Sequence, residues 1–100
     1  MKLDKNKRGK ELRVTLSGEL DHHNAAVIRE DIDRELDSGV KLLTLDMSGV
    51  TFMDSSGIGI VLGRYRRMSE GGGRLRISGM SIYAEKILRM AGVLALLERK

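Results

Sequence analysis

The chain changes hydrophobic period several times, and each change predicts an element. Leu12, Val14 and Leu16 alternate with Arg13, Thr15 and Ser17, the period-two pattern of a strand with one buried face. A weakly apolar segment over Lys2–Lys7 can pair with it across Arg8-Gly9-Lys10. From Asn24 to Asp37 the period lengthens: Ala25, Ile28, Ile32 and Leu36 recur at three- and four-residue steps among charges, an amphipathic helix closed by Ser38-Gly39. Val40–Asp46 holds Leu42, Leu43 and Leu45, as expected of a central strand covered on both faces.

A loop is then predicted from Met47 to Ser55. A second helix follows from near Ser56 to Glu70, carrying Ile60, Val61, Tyr65 and Met68 and stopped by Gly71-Gly72-Gly73. Gly57, Gly59 and Gly63 each weaken such a helix by up to about 1 kcal/mol relative to alanine, so packing or a close backbone approach is expected to account for them. Leu75 and Ile77 alternate within a strand over Arg74–Ser78. A third helix is expected over Ser81–Ala91, closed by Gly92, and a short strand over Leu94–Glu98. This order implies an α/β domain with a mixed, mostly parallel sheet of about four to five strands and right-handed crossovers.

Composition narrows the picture. One hundred residues, 41% hydrophobic, close one compact domain, and with only three aromatics the core must be aliphatic. The absence of cysteine removes disulfide and thiolate-metal chemistry. The charged start Met1–Arg8 and the lack of a long apolar run predict a cytoplasmic protein that does not enter a membrane. The net charge is +4, from 18 Lys plus Arg against 14 Asp plus Glu, which raises nucleic acid as a partner. The charge is dispersed, however, over the N-terminus and over Arg64, Arg66, Arg67, Arg74 and Arg76. With few aromatics to stack on bases, it reads as solvated surface and no nucleic-acid ligand is expected.

Two polar clusters fall where strands end, the position at which open α/β sheets meet ligands and partners. One is Gly18-Glu19-Leu20-Asp21-His22-His23; the other is Asp54-Ser55-Ser56-Gly57. If their strands are neighbours, the clusters lie side by side. A serine in a first helical turn lies near unpaired backbone N–H groups, where the dipole favours negative charge, so a phosphate on Ser56 would be tolerated. Capping by Asp54 or Ser55 is the commoner role for such residues and accounts for the spacing equally well.

Catalysis is a poorer reading. A nucleophile elbow needs glycine two residues before the serine, and Asp54 stands there. His22 and His23 are the only histidines; as consecutive residues they are expected to diverge and to make a poor metal site. The glycines match neither the P-loop nor the dinucleotide spacing. The chain is therefore read as a binding module without a cofactor or metal, not as an enzyme.

The run Ser48-Gly49-Val50-Thr51-Phe52-Met53-Asp54-Ser55-Ser56-Gly57-Ile58-Gly59-Ile60-Val61-Leu62-Gly63-Arg64-Tyr65 resembles the signature of bacterial anti-sigma-factor antagonists, the STAS domain. Gly18–His23 narrows the resemblance to the sporulation branch. The resemblance implies a STAS fold and a partner-switching cycle. The unphosphorylated antagonist binds an anti-sigma factor with serine kinase activity and frees the sigma factor. That partner binds the ATP or ADP and phosphorylates the antagonist at the position matching Ser56; the modified form lets go, and a PP2C-type serine phosphatase resets it. By the same resemblance Glu19, Asp21, His22, Asp54, Ser55, Ser56 and Gly57 contact the partner, with Gly57 allowing the kinase to approach the backbone. A STAS module of another partner-switching system, such as a general-stress regulator, is the alternative. Family members usually continue into a C-terminal helix, whereas this chain stops at Glu98-Arg99-Lys100; one domain over residues 1–100 is expected, with that helix truncated or absent.

Overall fold

The computed structural model describes residues 1–99; Lys100, the last residue of the expected domain, lies outside them. Five strands and three α-helices follow one another as β1 (Lys2–Arg8), β2 (Glu11–Leu20), α1 (Ala25–Leu36), β3 (Leu42–Met53), α2 (Ser55–Glu70), β4 (Arg74–Met80), α3 (Ile82–Met90) and β5 (Glu98–Arg99). The strands lie in sequence order in one sheet. β1 and β2 form an antiparallel hairpin, and the three later pairings are parallel. Gly9 makes the hairpin turn at φ +56°, a conformation glycine adopts without steric cost. The sheet is thus mixed and mostly parallel, as the alternation of periods implied.

One side of the sheet carries the core. Leu12, Val14 and Leu16 from β2, Leu43, Leu45 and Met47 from β3, and Leu75 and Ile77 from β4 join Ile28 and Ile32 of α1, Ile60 and Val61 of α2, and Ala84 and Leu88 of α3 in a single aliphatic cluster. The expectation that β3 is covered on both faces holds only in part. On its other face Thr44 is enclosed, with its hydroxyl 3.1 Å from Glu11, while Leu42 and Asp46 are half-buried. Long polar side chains on the flanking strands replace a second layer of helices there.

Three further expectations are corrected. The segment Met47–Met53 is strand, not loop. Its inward residues are Met47, Val50 and Met53, three apart, because β3 carries an extra residue opposite β2 at two points, between the partners of Thr15 and Ser17 and of Gly18 and Glu19. A bulge shifts the inward parity and hides the period of two. β2 likewise runs on to Leu20, so Gly18 and Glu19 lie within a strand. At the other end, Leu94–Leu96 form a 3-10 turn and only Glu98–Arg99 form strand. Val93, Leu94 and Leu97 pack on the core at spacings a short turn satisfies and an alternating strand does not.

The glycines of α2 are not alike. Gly57 is buried, and a Cβ there would stand 2.5 Å from Met53 Cγ and 3.2 Å from Leu20 Cδ2. At Gly59 and Gly63 a Cβ would meet nothing within 4 Å, so packing within the chain does not account for these two, contrary to expectation. Gly63→Ala is therefore expected to raise stability by about 0.5–1 kcal/mol through helix propensity. Urea unfolding of the two proteins checks this; unchanged or lowered stability would mean that alanine is not accommodated.

Candidate functional site

The two polar clusters meet because β2 and β3 are adjacent and parallel and end together. Leu20 pairs with Met53, and the Asp54 N–H donates to the Leu20 carbonyl at 3.3 Å. The chain leaves both strands at the same edge of the sheet. Asp21 and Asp54 then each open a helix.

On the first branch, Asp21 Oδ1 accepts from the backbone N–H groups of His23 at 3.0 Å and Asn24 at 3.3 Å. The Asp21 carbonyl accepts from Asn24 and Ala25. Asp21 therefore shapes the entry to α1, and the Asn24 side-chain amide fastens that entry to the Glu19 carbonyl at 2.6 Å. Glu19 and His22 are exposed. The histidine rings do not diverge as expected: their centroids lie 4.0 Å apart with the planes tilted by 37°. The tight turn into α1 holds them together. No group of three or more His, Cys, Asp or Glu among the described residues is placed to hold a metal ion.

On the second branch, Asp54 is the N-cap of α2, with extended backbone and its Oδ1 accepting from the Ser56 N–H at 2.8 Å. One of the four unpaired N–H groups of the first turn is thereby satisfied. Of the two residues that spacing offered as caps, Asp54 takes the role, and Ser55 stands exposed as the first helical residue. The other carboxylate oxygen faces His22 Nδ1 at 3.8 Å, which links the branches across the sheet edge. Loss of hydration pushes the Asp54 carboxyl up. The backbone N–H groups of Ser56 and His22, the Ser56 hydroxyl and the His22 charge outweigh that and hold it below its ordinary value of 3.8.

The sign of this shift gives a prediction. A carboxyl held below its unfolded value contributes stability at neutral pH, and the contribution is lost as pH falls through the folded value. Asp54→Asn keeps a capping side chain and removes the charge. It should lower thermal stability modestly at pH 7, where the charged carboxyl contributes, and make the fall between pH 5 and about pH 3 shallower than in the parent. Parallel melts at the two ends of that range check it; equal losses would remove Asp54 from the acid response.

Ser56 is half-buried and lies with Gly59 and Ile60 of α2 and Ala25 and Arg29 of α1 around a cleft of about 260 Å³. Gly57, its neighbour, faces inward onto Met53 and Leu20. Of the anticipated contact residues, Glu19, His22 and Ser55 are thus exposed, Asp21, Asp54 and Ser56 are half-buried, and Gly57 is buried. Arg29 and Gly59 were not anticipated. Arg29 was within reach of the sequence, since it lies one turn beyond Ala25 on the same face of α1, whereas Gly59 shows its open side only in the fold, where a Cβ would meet nothing within 4 Å.

The basic residues are largely used inside the molecule. Arg64 is buried, not solvated as expected, at 8% exposure, with Nε 2.9 Å from Asp33 Oδ1 as an ion pair without hydrogen-bond alignment. Arg67 reaches both Asp33 and Asp37. Lys5 bridges Asp31 and Glu35 of α1. No described helix is long and apolar enough to cross a membrane.

Comparison with known proteins agrees with this geometry. The STAS domain model matches residues 2–99. The anti-sigma F factor antagonist of Paenibacillus polymyxa is 35% identical over 83 residues, spanning 82% of this chain and 71% of that protein. The structure of the anti-sigma factor antagonist SpoIIAA in its unphosphorylated form is 28% identical and superposes with a TM-score of 0.86, covering 99% of this chain and 88% of that one. The phosphorylated form of the Bacillus cell fate determinant SpoIIAA, also 28% identical, gives a TM-score of 0.79 over 99% of this chain and 91% of the other. The chain belongs to the STAS domain family and, within it, groups with the anti-sigma-factor antagonists.

Proposed function

We propose that this protein is a partner-switching antagonist acting in the cytoplasm, and that its affinity for an anti-sigma factor with serine kinase activity is set by Ser56. The observation that carries the proposal is the position of Ser56. It lies in the first turn of α2, beside the cap Asp54, at the sheet edge where Glu19, Asp21 and His22 also emerge. These residues, with Ser55, form the contact surface in this reading, and the buried Gly57 shapes it from beneath by letting α2 start against Met53 and Leu20.

In the unmodified state the partner seats on this edge and releases its sigma factor. With ATP bound to the partner, the γ-phosphoryl group passes to Ser56 Oγ; its bond to ADP breaks, and the hydroxyl proton leaves to the partner's base. The product carries about −1.5 to −2 charges beside Asp54, Asp21 and Glu19. A dianion must then be desolvated for the partner to remain, and the complex dissociates. The domain itself tolerates the group, because the start of a helix favours negative charge. A PP2C-type serine phosphatase returns the hydroxyl.

The test is incubation with a sporulation anti-sigma kinase and ATP, followed by peptide mass spectrometry. The phosphate is expected on Ser56. Labelling that persists in Ser56→Ala and disappears in Ser55→Ala would overturn the assignment.

A further inference from the structure

We propose that Arg29 is the internal receptor for a phosphate on Ser56, holding the modified side chain in the cleft between α1 and α2. The inference rests on the reading that Ser56 is the modified residue, and it concerns what the domain does with the phosphate once it is there.

The seam between α1 and α2 is lined by charged residues from both helices. Ala25, Arg29, Asp33 and Asp37 recur every four residues and share one face of α1. Ser56, Ile60, Arg64 and Arg67 share the facing side of α2. The helices run in the same direction, because each connects neighbouring parallel strands. Charges along the seam pair in order. Asp37 meets Arg67, and Asp33 meets both Arg67 at 3.4 Å and Arg64 at 2.9 Å. One turn closer to the N-termini the order fails. Arg29 has no ion pair or hydrogen bond among the described residues, and the first turn of α2 contains no acidic residue to meet it. Arg29 and Ser56 line the same cleft.

The direction of the side chain favours the pairing. Helical side chains lean toward the N-terminus of their own helix, so the exposed Arg29 guanidinium is carried toward the level of Ala25 and Ser56. The cleft, at about 260 Å³, has room for a phosphate group. The neighbourhood also has positive charge to spare. Burial lowers the Arg64 pKa against the raising effect of Asp33, and the charges of Arg29 and Arg67 lower it further. Arg64 Nη1 is buried without a hydrogen-bond partner. A phosphate on Ser56 supplies the missing acid and relieves the repulsion between Arg29 and Arg64. The guanidinium fork suits phosphate oxygens in a way a lysine ammonium does not.

The consequence is that the modified state is held in cis. The phosphate turns toward α1 instead of projecting toward a partner, and the modified domain is more stable than the unmodified one.

The experiment installs phosphoserine at position 56 during translation, so that it does not depend on any kinase. The second ionisation of the phosphate is followed by phosphorus NMR in the parent, Arg29→Ala, Arg29→Lys and the control Arg34→Ala, whose arginine pairs with Asp31 instead. In the parent the phosphate should ionise about half a unit to one unit lower than in Arg29→Ala, with Arg29→Lys between them and Arg34→Ala like the parent. Asp54, His22, Asp33 and Arg64 also face this region and are common to all four proteins, so the difference isolates Arg29. Modification should also raise Tm in the parent and fail to do so in Arg29→Ala. Superimposable titrations and equal Tm changes in the parent and Arg29→Ala would overturn the proposal. If a kinase labels Ser56 while these titrations coincide, the functional reading stands and this inference falls. If Arg29 shifts the titration and no kinase labels Ser56, the reverse holds.

Discussion

Gly57→Ala is expected to destabilise the domain by about 2–3 kcal/mol, a large loss for one added methyl group. The new Cβ would stand 2.5 Å from Met53 Cγ, 3.1 Å from Met53 Sδ and 3.2 Å from Leu20 Cδ2. Met53 and Leu20 are buried and are paired residues at the ends of β3 and β2. Neither side chain can retreat without opening the point from which Asp21 and Asp54 diverge. Met53→Ala removes the obstructing side chain at its own cost, and combined with Gly57→Ala it should lose less than the sum of the two single losses. Urea unfolding of the four proteins reads this directly. Additive losses would show that the crowding is relieved elsewhere.

Ser56→Asp should weaken the complex with the anti-sigma kinase by about 100-fold or more, equivalent to about 2.7 kcal/mol, while Ser56→Ala retains affinity near that of the parent. The carboxylate enters a site that already holds Asp54 and lies beside Asp21 and Glu19. The partner must desolvate this further acid to seat on the surface, so the cost falls on the complex and not on the free domain. Ser56→Asn, close in volume and neutral, separates charge from bulk. It should bind well above Ser56→Asp, and equal weakening of the two would show that occupied space, not charge, breaks the contact. Calorimetric titration in ADP measures all four affinities.

The sequence discloses those parts of this molecule that rest on simple periods. Leu12, Val14 and Leu16 identify β2 because a strand with one buried face must alternate, and Ile28, Ile32 and Leu36 identify α1 because a helix with one buried face must repeat near four. The extension of β3 to Met53 is not disclosed. Met47, Val50 and Met53 lie three apart, a spacing that suits neither pattern until two bulges opposite β2 are known. Gly49 belongs to that irregularity, since a Cβ there would come within 2.8 Å of Ser17 Cβ, yet a glycine in a presumed loop carries no such message.

The site divides in the same way. Ser56 and Asp54 are legible because N-capping is a local rule, and the rule assigns the cap once the first helical residue is known. The contact between His22 and Asp54 depends on β2 lying beside β3, which is a tertiary fact, whereas the Asp21 hydrogen bonds to His23 and Asn24 and the tilted contact of the two histidine rings belong to the local turn into α1. The arginines make the same point. Composition presents Arg64 as one more surface charge, whereas the seam between α1 and α2 buries it against Asp33. Gly57 and Gly59 look alike in sequence, and only packing separates the one that admits no side chain from the one that leaves space beside Ser56.

The central claim, that one serine at the start of α2 governs partner release, is tested most directly by reconstituting the complex with a sporulation anti-sigma kinase and following it by size exclusion in ADP and then in ATP. A stable complex is expected in ADP, with dissociation in ATP and one phosphate on Ser56, and the Ser56→Ala complex should persist in both nucleotides. Release of Ser56→Ala by ATP at the rate of the parent would contradict it.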